Sequence, residues 1–185
     1  FRHFYHTPAD TSTISDDIPK ELAFDDDGFL WIGFDKEDGL NRFDTKTGKS
    51  KRFQVRRGQT AQLQGRVLGD IVADGQRIYL GTTAGFEYYD KTTDQFHFSP
   101  LLDGAGDTVY YSVNPIVKSK DGKIWINGYR SGLRYFDPAT NTIHTFEAPE
   151  DQPSLPALEF IVEDQRGRLW LSNRSSLWSL SPDRQ

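Results

Sequence analysis

The stretch Asp121–Phe146, DGKIWINGYRSGLRYFDPATNTIHTF, decides the fold. It runs from a Gly turn through an alternating segment with a Trp, then Gly-Leu, an aromatic-Asp pair, a polar turn and a closing Phe. The same order occurs at Asp27–Phe53, DGFLWIGFDKEDGLNRFDTKTGKSKRF. Working outward, Trp31, Tyr79, Trp125 and Trp170 follow one another at intervals of 48, 46 and 45 residues. The turn glycines Gly28, Gly75, Gly122 and Gly167 recur at 47, 47 and 45. Gly39-Leu40, Gly85-Phe86, Gly132-Leu133 and Ser176-Leu177 keep the same phase, as do Phe43-Asp44, Tyr89-Asp90, Phe136-Asp137 and the degraded Leu180-Ser181. Self-similarity at this period marks a repeat protein.

Each unit reads as four short strands. An apolar run comes first (ELAF, DIVA, PIVK, EFIVE), followed by a tight turn carrying Asp-Gly or Arg-Gly, where Gly permits positive φ. An alternating strand (FLWIG, RIYLG, KIWING, RLWLS) and a third strand (GLNRFD, GFEYYD, GLRYFD, SLWSLS) come next. A Thr/Asn/Gly turn then leads to an outer strand ending at Phe53, Phe98 or Phe146. Four strands in about 46 residues is the spacing of a propeller blade. The expected fold is an all-β propeller of four-stranded antiparallel blades, one module over 1–185, with blades near 18–55, 67–100, 113–147 and 158–181. The bulky aromatic of each unit is expected to fill the gap between neighbouring sheets.

The chain ends carry a second pattern. RHFYH at 2–6 matches the outer strand IHTFE at 143–147, and TPADTSTIS (7–15) matches APEDQPSLP (148–156). An N-terminal strand at 2–6 is therefore expected, ahead of three whole blades and a fourth lacking its outer strand. Two arrangements follow: a closed four-bladed ring completed by residues 1–6, or part of a larger ring. In an unclosed stack, further blades or another copy of the chain would be the partners, because its ends leave unpaired strands and apolar faces.

Composition narrows function by exclusion. The 185 residues carry a net charge of −5, with Lys and Arg dispersed. That disfavours nucleic acid and anionic membrane surfaces, which need clustered positive charge. Cysteine is absent, so disulfides and thiolate metal sites are excluded. No apolar run approaches the ~18 residues of a membrane helix. The chain opens on Phe1 and contains no Met, so it is expected to be a processed product or an excised piece.

The units resemble the two-component regulator propeller repeat, whose pattern is roughly D-x-x-G-x-[IL]-W-[IV]-G-T-x-x-G-[IL]-x-[RK]-[FY]-[DN]. DDDGFLWIGFDKEDGLNRFD (25–44) is a close match, DGQRIYLGTTAGFEYYD (74–90) and KDGKIWINGYRSGLRYFD (120–137) are good ones, and DQRGRLWLSNRSSLWSLS (164–181) departs from it after the Trp. DTSTI (10–14) and DQPSL (151–155) resemble the family's inter-blade spacer. The resemblance implies a periplasmic or extracytoplasmic sensor region of a bacterial membrane receptor, with a histidine kinase or diguanylate cyclase output elsewhere. It also implies a small-molecule or oligosaccharide ligand, and rings larger than four blades.

Asp25–Asp27, with Asp35, Glu37 and Asp38, form the densest charge, but a calcium loop needs converging spaced oxygens; solvated turn carboxylates are expected, and no metal or cofactor. Carboxylates for glycoside hydrolysis must face one another within about 5–10 Å, and none is expected to recur towards a ring centre. His3, His6, His97 and His144 fall on outer strands. This argues against an enzyme like the streptogramin lyases, which have rather similar repeats and need a catalytic His and Mg²⁺ near the axis. The expected ligand surface comprises the loops around the axis: Arg66, Tyr110, Tyr111, Asn114, Tyr129, Arg130, Asn173 and Arg174, with aromatic rings to stack and Arg or Asn to donate hydrogen bonds. A lyase-type enzyme and a protein interaction scaffold are the alternatives.

Overall fold

The computed structural model describes all residues except 37–38, 102–112, 129–131, 148–154, 156–157 and 184–185. Among the described residues there is no helix, and fifteen strands form four antiparallel sheets. The first sheet runs β1 (Pro19–Phe24), β2 (Phe29–Phe34), β3 (Leu40–Asp44) and β4 (Lys49–Phe53). The second runs β5 (Val67–Asp74), β6 (Arg77–Thr82), β7 (Phe86–Asp90) and β8 (Gln95–Ser99). The third runs β9 (Val113–Lys118), β10 (Ile124–Gly128), β11 (Gly132–Asp137) and β12 (Thr142–Thr145). The fourth has three strands, β13 (Phe160–Glu163), β14 (Leu169–Ser172) and β15 (Leu177–Leu180). Neighbours within each sheet are consecutive in the chain, which is the meander of a propeller blade.

The first strands β1, β5, β9 and β13 are the inner strands, each lying beside the next. The hairpin turns Gly28, Gly75, Gly122 and Gly167 all have positive φ, between 55° and 84°, which suits Gly alone among residues without local side-chain bonds. We call the opposite end, with the β2–β3 turn and its equivalents, the upper face.

Packing between blades follows the aromatic anchors. Trp31 is fully buried in a cluster with Ile71, Ile78 and Tyr89 of the second blade. Tyr79 lies with Ile116, Ile124 and Phe136 of the third, and Trp125 with Leu158, Ile161 and Leu169 of the fourth. Trp170, on the last blade, is half-buried under Arg168. Close to the axis the blades meet backbone to backbone. A Cβ on Gly81 would stand 2.1 Å from the Val113 carbonyl oxygen, so only Gly fits there. At the lower face, lysines tie successive blades: Lys91 to Asp27 at 2.7 Å and Lys118 to Asp74 at 2.6 Å, while Lys120 donates to the carbonyls of Asp164 and Gln165.

The two ends of the stack differ from its middle. Leu177 is 66% exposed, whereas its counterparts Leu40, Phe86 and Leu133 are at most 2% exposed. Leu22 is 60% exposed, where Ile71, Ile116 and Ile161 are buried. Residues 2–6, expected as a strand, form none. The fourth sheet accordingly keeps three strands, with β15 bonded only to β14. The segment is held instead by side chains, with Phe4 edge-on to Phe43 at 4.8 Å beside Ile14 and Ile32.

Candidate ligand-binding site

The inner strands build a cleft on the axis. Each of the first three bulges near its upper end, between Pro19 and Glu21, Val67 and Ile71, and opposite Ile126–Gly128. A bulge re-aims side chains that simple alternation would send elsewhere. The result is a cavity of about 550 Å³ lined by all four inner strands, with Glu21, Asp70, Asn114, Pro115, Glu159 and Phe160 on its wall. Carboxylates were not expected to recur towards a ring centre, yet Glu21 and Asp70 stand at equivalent positions of β1 and β5 and line this cleft with Glu159.

These acids sit in different environments. Asp70 Oδ2 accepts the Ile116 amide at 3.0 Å, bridging the second and third inner strands. Burial first, and the neighbouring Asp70 charge second, raise the Glu21 carboxyl above its ordinary pKa of 4.5. Glu159 Oε1 accepts Arg174 Nε at 2.7 Å. Chemically the cleft offers carboxylate acceptors to hydroxyl or ammonium donors, with Pro115 and Phe160 supplying apolar contact. Among the described residues no group of three or more His, Cys, Asp or Glu is arranged to hold a metal ion.

The expected surface residues separate. Asn114 is exposed on the cleft wall, and Arg174 reaches the same cleft through Glu159. Asn173 spends its acceptor on its own turn: Oδ1 accepts the amides of Ser175 and Ser176 at 2.9 and 3.0 Å. Arg66 lies off the axis on the upper face, its guanidinium 3.1 Å from Asp35 Oδ1. Tyr110, Tyr111, Tyr129 and Arg130 lie outside the described residues, as do Glu37 and Asp38. None of the four histidines lines the cleft; His97 stacks on Tyr88 and His144 on Tyr135, towards the outer strands.

The acidic turn also differs from its expectation as solvated charge. Asp25 is buried, and its Oδ2 accepts the Trp31 indole N–H at 2.9 Å while Oδ1 takes the amides of Asp27 and Phe29. Burial alone would raise its pKa; the bonds from Trp31 and Phe29 and the Lys91 charge outweigh it and hold the carboxyl below 3.8. Asp164 serves Trp170 in the same way, and there the indole, the Arg168 and Arg166 amides and the Arg168 side chain overcome desolvation to bring it to about 2. Ser119 Oγ is the equivalent acceptor for Trp125, at 3.1 Å. The acceptor stands six residues before each Trp; in the second blade, with its shorter hairpin, Asp74 takes the equivalent place beside Tyr79's strand and bonds Lys118 instead. That pairing was the signal available in the sequence.

No protein-family model and no curated protein matches this sequence. Solved structures do match. The extracellular domain of a protein described as a hybrid two-component system of B. thetaiotaomicron superposes with a TM-score of 0.73 at 22% identity, over 91% of this chain and 24% of its own. The fold is a propeller's. The extracellular domain of a B. thetaiotaomicron protein described as a one-component system gives 0.68 at 16% identity, over 89% of this chain and 21% of that one. Streptogramin B lyase gives 0.70 at 17%, over 98% of this chain and 55% of the lyase. This chain thus spans about a quarter of the two extracellular domains and about half of the lyase.

Proposed function

We propose that this chain is a non-catalytic, ligand-sensing propeller segment on the extracytoplasmic side of a bacterial membrane, part of a two-component or cyclic-di-GMP signalling regulator. The observation that carries the reading is the axial cleft, to which every inner strand contributes a residue and which carries three carboxylates, Glu21 on β1, Asp70 on β5 and Glu159 just before β13. Support comes from the shared fold with extracellular domains of signalling proteins. The ligand is a small molecule rich in hydroxyl or ammonium donors, an oligosaccharide in the first instance, recognised by Glu21, Asp70, Asn114 and Glu159.

The same reading assigns the exposed end faces. Leu22 and Leu177 occupy positions that other blades bury, so further blades of the same ring cover them, and ligand closure across the axis is the event that biases the receptor between two states. A lyase-type enzyme is the second reading, favoured by the TM-score of 0.70 to streptogramin B lyase; the position of the described histidines away from the cleft speaks against it. Titration calorimetry with a panel of neutral and amino oligosaccharides, alongside mass spectrometry of the recovered ligand, separates the two. Saturable binding with intact ligand supports sensing, and a ligand cleaved or rearranged in proportion to enzyme supports the lyase.

A further inference from the structure

Glu87 is a carboxylate with no solvent contact, on β7. Its Oε2 accepts the Gln64 amide at 2.8 Å, and its Oε1 accepts the Gly65 amide at 2.9 Å and the Thr82 hydroxyl at 2.8 Å. Gln64 and Gly65 belong to the segment 54–66 that crosses the upper face from β4 to β5. That strap is organised around Gln64, whose side chain takes the Gly58 amide and donates to the carbonyls of Gln59 and Gln62, each at 2.7 Å. Leu63 pins it to the core, and Arg66 and Thr83 close its far end. Strap and β6–β7 turn together wall a cleft of about 550 Å³, lined by Arg57, Gly58, Gln64, Arg66, Thr83 and Phe98.

The equivalent position in the first blade performs the same task without a titratable group. Asn41, also fully buried, accepts the Ser15 amide at 2.8 Å and donates to the Ser15 hydroxyl. Ser15 follows Ile14 as Gln64 follows Leu63. A neutral amide is therefore sufficient to hold a strap, and the acid at 87 adds protonation to the same grip.

Thr82 supplies the moving part. Its single hydroxyl hydrogen has two acceptors in reach, Glu87 Oε1 and the Gly85 carbonyl at 3.1 Å. With Glu87 ionised, the hydroxyl donates to the carboxylate, which also holds both strap amides by charge-assisted bonds. Thr82 Oγ1 accepts the Ala84 and Gly85 amides at 3.1 and 3.3 Å. With Glu87 protonated, Oε1–H takes the place of the longer Gly85 amide bond on Oγ1, the Thr82 hydrogen turns to the Gly85 carbonyl, and Gly65 is left facing a weak hydroxyl acceptor. We propose that Glu87 is a proton-operated latch on the strap, gripping Gly65 when ionised and loosening it, and with it the cleft wall, when protonated.

The surroundings permit this switch. From β6 and β8 the cross-strand neighbours of Glu87 are Leu80 and Phe98, and the first blade presents Leu40 and Trp31 to the same core. The charged groups of the strap, Arg56, Arg57 and Arg66, are at its ends, with Arg56 bonded to Gln54 and Arg66 to Asp35. Lower on the same side of the blade, Tyr89 and Lys51 bond to Asp94, near Arg42. None of them pairs with Glu87. Desolvation accordingly pushes its carboxyl up to about 7, against the pull of the three hydrogen bonds.

Amide hydrogen exchange at Gly65, corrected for the intrinsic pH dependence, tests the latch, with Glu87→Gln as the permanently neutral comparison. Protection of Gly65 in the wild type should fall several-fold, up to about tenfold, between pH 8 and pH 6. In E87Q, whose amide oxygen can still accept the Gly65 N–H, protection should be independent of pH. Wild-type protection that does not change over this range, or the same change in E87Q, overturns the proposal. Should E87Q fail to fold, the wild type alone decides it by NMR: the Glu87 carboxyl and the Gly65 amide must titrate with one shared midpoint, and separate midpoints refute the coupling.

Discussion

Replacing Asp25 by Ala removes the buried acceptor beneath the first anchor. Trp31 is fully buried, so its indole N–H has no water to turn to, and leaving such a donor unpaired costs about 1–3 kcal/mol. Asp25 also accepts two turn amides, at 3.1 and 2.9 Å; these regain solvent in part, adding about 1 kcal/mol. The sum is about 3 kcal/mol, or roughly 6–12 °C in melting temperature for a chain of this size. Asp26→Ala, in the same turn but exposed, is the control and should change stability by less than about 0.5 kcal/mol. The sign with pH also follows. The folded Asp25 is depressed below 3.8, so its contribution is complete above the unfolded value and disappears as pH falls through the folded one. The gap between wild type and D25A should therefore be constant from pH 5 to 8 and close in acid. Urea unfolding monitored by Trp fluorescence measures it. Equal stability of D25A and D26A would refute the assignment of Asp25 as a structural acceptor.

Further outcomes test packing and the cleft. Leu133→Ala, in the core between the third and fourth blades, should cost about 2–4 kcal/mol in urea unfolding, whereas Leu177→Ala, its exposed counterpart, should cost under about 1 kcal/mol. Gly81→Ala forces a Cβ against the Val113 carbonyl and should lower stability by about 3 kcal/mol, read from the same curves. Asp70→Asn should lower the Glu21 titration midpoint, followed by carboxyl NMR, without restoring it to 4.5, because burial is the larger cause and persists.

Period and turn chemistry make the blades readable from sequence: Gly28, Gly75, Gly122 and Gly167 carry the positive φ that their turns require, and the alternating runs around Trp31 and Trp125 are strands. The cleft was not readable. Inner-strand bulges break the alternation near Glu21 and Asp70. In addition, the hairpin before Tyr79 is one residue shorter than that before Trp31, so Asp70 lies nine residues before its aromatic and Glu21 ten. The two acids therefore fall out of phase in a linear alignment while standing at one level in space. Of the three consecutive aspartates, Asp25 is set apart in sequence only by standing six residues before Trp31, as Ser119 and Asp164 stand before their Trp, and the hairpin turns it inwards to the indole. The segment at 2–6 matches an outer strand in composition, but it packs through Phe4 against Phe43, Ile14 and Ile32 and enters no sheet.

Under the proposed function, ligands are recognised at the axis without being turned over. Calorimetric titration of the wild type and of the Glu21→Gln/Asp70→Asn double variant with the same oligosaccharide panel, with the ligand recovered for mass spectrometry, tests it most directly. Saturable binding to the wild type, recovery of unchanged ligand, and at least a tenfold weaker affinity, about 1.4 kcal/mol, in the folded double variant are the expected results. Binding that survives both substitutions, or a ligand recovered as product, would contradict it.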